Sequence, residues 1–137
     1  MHHTLARAAR LVTTVGVSVM LVGVSAAFAA GPAIPEGTGM TSWVENGEGG
    51  VYLLELREGG LPEGEASVVG EVLSDSNCAP DADNINHCEN VIRFSDGSTL
   101  MAVNNHRMAV NRCLRRGEKV YVSNLEEGWL VVSTGAE

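Results

Sequence analysis

The chain has 137 residues, of which 45% are hydrophobic and 4% aromatic, and a formal net charge of −8. That length holds one domain with one modest core. Acidity with so few aromatics for base stacking argues against nucleic acid and anionic lipid, and favours cations or basic partners.

Residues 1–29 read as an export signal. Arg7 and Arg10 give a positive start, Leu11 to Phe28 is uncharged, and Ala27-Phe28-Ala29 is a small-x-small cleavage site. Gly16, Ser18 and Gly23 interrupt the run, leaving its apolar core short of the ~20 residues of a permanent span. No cysteine follows the cleavage site to carry a lipid. The expected product begins at Ala30, has no membrane anchor, and is periplasmic or secreted. Cleavage removes two arginines and no acidic residue, so the mature chain is more acidic still.

Residues 30–50 read as a flexible leader, in which Gly and Pro recur without an apolar period. Trp43 and Val44 are the residues there with reason to dock on a domain. A single β domain is expected over 51–134, with 135–137 a frayed tail.

In Val51–Glu58, Tyr52, Leu54 and Leu56 share one face and predict a strand, which Gly59-Gly60 and Pro62 end. Ser67–Leu73 predicts a second strand, and Gly70 within it signals a bulge or a tight bend. Residues 74–86 turn polar. Asn90–Phe94 and Thr99–Asn104 predict a hairpin, with Asp96-Gly97 supplying the positive φ angles of a two-residue type I′ turn.

Residues 105–116 admit two readings. Asn104 or Asn105 suits an N-cap, Arg112, Arg115 and Arg116 suit a last helical turn, and Gly117 stands where a C′ glycine belongs. Alternatively the preceding strand continues through His106 and Met108. The capping signs favour the helix. Lys119–Ser123 and Trp129–Ser133 then complete a set of six strands. The fold class is therefore mainly β: a small antiparallel barrel or sandwich of five to six strands, with at most one short helix near 105–116. In layout this resembles the oligonucleotide/oligosaccharide-binding barrel.

Three cysteines in an exported chain allow one internal disulfide and one remaining thiol. Of the three pairings, Cys78–Cys88 is favoured because the two bracket one polar loop, and Cys78–Cys113 comes next. So short a loop contributes at most ~2.5–3 kcal/mol through closure entropy.

The candidate metal ligands are His106, Met108, Cys113, His87 and Cys88. Thiolate, thioether and imidazole donors together suit copper(I) or another soft ion. Whichever backbone forms at 105–116, His106 stays near a sulfur atom. The acidic loop holding Asp75, Asp81, Asp83, Asn84 and Glu89 lacks the glycine of a helix–loop–helix calcium site. Arg112, Arg115, Arg116 and Lys119 crowd into one run, either to complement a helix dipole or to form a patch for an anion or a protein partner. No nucleophile elbow, phosphate-binding glycine loop or haem-attachment motif is present, so catalysis is not expected. The sequence thus points to an exported, non-catalytic β domain that binds a ligand, copper(I) first. The rival is a disulfide-stapled interaction module without metal.

Overall fold

A computed structural model describes residues 31–135. The expected export signal and its cleavage site lie outside the described residues. Six antiparallel strands form a closed barrel: β1 (Val51–Glu58), β2 (Ser67–Ser76), β3 (Asn86–Phe94), β4 (Thr99–His106), β5 (Lys119–Glu126) and β6 (Trp129–Ser133). Around the barrel the order is β1-β4-β3-β2-β5-β6, and β6 closes on β1.

Alternation in the sequence becomes an inside and an outside. Leu54, Val72, Ile92, Leu100, Val122 and Leu130 are fully or almost fully buried within the barrel. Each such side chain contributes about 1.5–3 kcal/mol relative to exposure. Gly70 marks a close approach rather than a bulge: a Cβ there would lie 2.5 Å from Ile92 Cγ2. The bulge comes three residues later. Pairing of β2 with β3 slips between Val72 and Ser74, so Val72 faces Ile92 and Asp75 faces Asn90.

The β3–β4 hairpin forms, with a different turn. Gly97 N donates to Phe94 O at 3.0 Å and Phe94 N to Ser98 O at 2.9 Å, which makes Ser95–Gly97 a three-residue loop. Gly97 alone has positive φ, at 86°, whereas a type I′ turn requires it at two successive positions. The observed loop belongs to the other common class, in which one glycine follows an ordinary turn.

No helix forms at 105–116. β4 runs on to His106, and Val110 N and Asn111 N both return to Arg107 O as a single turn. The asparagines that resembled N-caps make tertiary contacts instead: Asn104 Oδ1 accepts from Asn46 Nδ2 at 3.1 Å, and Asn105 Oδ1 meets His87 Nδ1 at 2.6 Å. Further on, Asn111 Nδ2 donates to Val44 O and Asn46 O, each at 3.1 Å, and Leu114 joins the barrel core.

The segment read as a flexible leader packs on the outside of the barrel. It carries 3-10 turns at Trp43–Glu45 and Glu48–Gly50. Trp43 stacks on Trp129 with ring centroids 5.7 Å apart, covers Leu53 and Ile85, and donates its indole N–H to Pro32 O at 2.8 Å. The ring thereby loses its apolar surface to the barrel without stranding its polar atom.

Candidate functional site

One end of the barrel is polar inside, and the bulge in β2 makes it so. A regular strand would send Asp75 outward, opposite in sense to Val72. The extra residue turns it toward Asn90, which is completely buried and donates Nδ2 to Asp75 Oδ1 at 2.6 Å. Cys78 follows in the irregular segment after β2, and its disulfide to Cys88 on β3 is formed. Cys113 approaches from the β4–β5 connection as a half-buried free thiol. One carboxylate oxygen of Asp75 and the sulfurs of Cys78, Cys88 and Cys113 all lie within 4.8 Å of one another.

The contacts within this group differ in kind. Asp75 Oδ2 lies 3.5 Å from Cys78 Sγ. A disulfide sulfur has no proton to donate, so this is a polar contact only. The Cys113 thiol faces the Asp75 carboxylate within the same 4.8 Å. Burial, then the neighbouring Asp75 carboxylate, push the thiol up to about 11 from 9.0. At neutral pH Cys113 is therefore an S–H group aimed at a carboxylate.

Beside the cluster lies a buried amide and imidazole network whose orientation is fixed by its partners. Leu53 N donates to Asn46 Oδ1 at 2.7 Å, so Asn46 Nδ2 faces Leu53 O at 2.9 Å, Asn105 O at 2.8 Å and Asn104 Oδ1 at 3.1 Å. Asn104 consequently directs its own Nδ2 elsewhere, and that nitrogen has no partner among the described residues. Asn90 Oδ1 and His106 Nε2 are likewise buried and unpartnered. Burial lowers the His106 pKa from 6.5, against the opposing pull of Asn104 O and the Asp75 charge. At neutral pH the ring is uncharged, with Nδ1 3.4 Å from Asn104 O and its plane nearly perpendicular to that of Tyr52.

The residues singled out from sequence separate into three places. Cys88 and Cys113 belong to the cluster, Cys88 as a disulfide half. His106 adjoins it, in electrostatic range of Asp75 but outside the 4.8 Å group. His87 and Met108 lie elsewhere. His87 Nδ1 contacts Asn105 Oδ1 at 2.6 Å and Nε2 contacts Asp81 Oδ2 at 2.9 Å, so both ring nitrogens are occupied. Met108 is 44% exposed on the turn beyond β4. The basic run caps no helix: Arg112 pairs with Glu118, while Arg115, Arg116 and Lys119 are exposed. Asp75, the oxygen donor of the cluster, is the residue that sequence alternation misplaces.

The donor set dictates the chemistry. With the disulfide formed, Cys113 and Asp75 remain as donors. With it reduced, three thiols and a carboxylate converge, a composition suited to zinc or copper(I). No known protein family, curated protein or solved structure matches the chain.

Proposed function

We propose that this protein is an exported, non-catalytic barrel that takes up a soft metal ion, copper(I) first, at Asp75, Cys78, Cys88 and Cys113 in its reduced form. The observation that carries this reading is the mutual approach of those four ligand atoms within 4.8 Å. The disulfide form is then the metal-free state, and it fits a non-reducing compartment. Residues 1–29 are proposed as the cleaved export signal, which an intact mass starting at Ala30 supports and retention of Met1 refutes.

The test is anaerobic copper(I) titration against a competing chelator, using protein reduced and freed of reductant. Wild type should bind tighter than micromolar. Cys113→Ser should weaken binding at least about tenfold, since one of three thiolates is lost, while Met108→Ala leaves it unchanged. Binding weaker than micromolar, or equal affinity in wild type and Cys113→Ser, overturns the reading.

A second reading keeps the disulfide as a plain staple and gives the barrel wall to a protein partner. Its support is an exposed apolar band. Val69 pairs with Tyr121, and Tyr121 and Val51 both pair with Ser133, which aligns the three apolar residues across β2, β5, β6 and β1. Their exposures are 45%, 54% and 48% respectively.

A further inference from the structure

We infer that Cys113 is an internal nucleophile for the Cys78–Cys88 disulfide, exchanging it for a Cys88–Cys113 disulfide. Two observations converge. The three sulfurs lie within 4.8 Å of one another, so forming a new bond takes at most about 3 Å of side-chain travel. Cys78 and Cys113 both stand on irregular segments, which can move, whereas Cys88 is fixed on β3.

The step balances without an external oxidant or reductant. The Cys113 thiol gives its proton to water, and its sulfur attacks Cys88 Sγ. The Cys113–Cys88 bond forms as the Cys88–Cys78 bond breaks, and the electron pair leaves on Cys78 Sγ. Cys78, partly exposed, then takes a proton back from water. Cys78 is the better leaving sulfur because it is partly exposed and its developing charge meets water, whereas Cys88 is completely buried. Exchange ties the β4–β5 connection to β3 and releases residues 77–85, with a new thiol at Cys78. This activity is thiol–disulfide isomerisation on the chain itself, independent of metal uptake.

The test uses the full oxidised chain with a metal chelator, held at pH 7 without added thiol, quenched in acid at intervals and mapped without reduction. A fragment joining Cys88 to Cys113 should grow in as free Cys78 appears. Cys78→Ala, mildly oxidised, should close the Cys88–Cys113 bond outright. An unchanged 78–88 linkage overturns the proposal, as do two free thiols in oxidised Cys78→Ala. A 78–113 linkage in place of 88–113 overturns the choice of leaving sulfur.

Discussion

Replacing Asn46 with Ala should unlock the leader and weaken the barrel together. Pairing of β1 with β4 reaches Leu54–Asn104, and beyond it the Asn46 carboxamide takes the place of a strand neighbour. It accepts from Leu53 N and donates toward Leu53 O and Asn105 O, all at 2.9 Å or less. Asn46, Leu53 and Asn105 are each at most 4% exposed, so water does not readily substitute. An orphaned buried N–H costs about 1–3 kcal/mol, and the carbonyls left behind add to it. A loss of about 3 kcal/mol is expected, a large fraction of the 5–15 kcal/mol typical of a domain. Urea unfolding followed by tryptophan fluorescence measures it, with a lower midpoint at unchanged slope. Asn46→Asp sharpens the test. It keeps the shape but turns a carboxylate oxygen toward three carbonyl oxygens, so it should be worse than Ala. A loss below about 0.5 kcal/mol for Asn46→Ala, or Asp milder than Ala, would falsify the ladder-completing role.

Gly70→Ala should cost about 1–3 kcal/mol through overpacking, because the new methyl meets Ile92 at 2.5 Å and Phe94 at 3.2 Å; an unchanged urea midpoint refutes this. The depressed His106 pKa means that the unfolded chain takes up this proton first as pH falls, so stability should decline below about 6.5. His106→Gln should flatten that part of the curve, and an identical pH profile in the variant counts against it. For Cys113 the raised pKa has the opposite linkage: the unfolded thiol ionises first, and stability falls as pH rises above 9.0. Its alkylation rate should accordingly keep climbing about tenfold per pH unit through 9 and bend near 11; a plateau by pH 9 contradicts the role assigned to Asp75 and burial.

The strands were legible because period-two alternation is a local property. Tyr52 and Leu54, Val120 and Val122, and Leu130 and Val132 all face inward as their spacing predicts. The 77–89 region was legible in part, since a short polar loop between two cysteines limits the pairing, and Cys78–Cys88 is the bond formed. Two features were not local. The slip at Leu73 reverses the sense of everything after it in β2, and no residue there announces it, so Asp75 looked like one more loop acid. At 105–116, polar residues that would suit a helix equally suit tertiary bonds. Asn111 reaches residues more than sixty positions away, and only the folded chain reveals that choice.

Closure of the barrel has a consequence for recognition. Every strand has a hydrogen-bonded neighbour on each side, so among the described residues no full-length edge remains to which an extended peptide could add itself. The protein's own leader obeys the same restriction: it adheres through an indole and a carboxamide instead of a seventh strand. Any macromolecule that reads this surface must do so through side chains and connecting loops. Such recognition is governed by residue identity at a few positions, and it can be rewritten by substitution without touching the hydrogen-bonded frame.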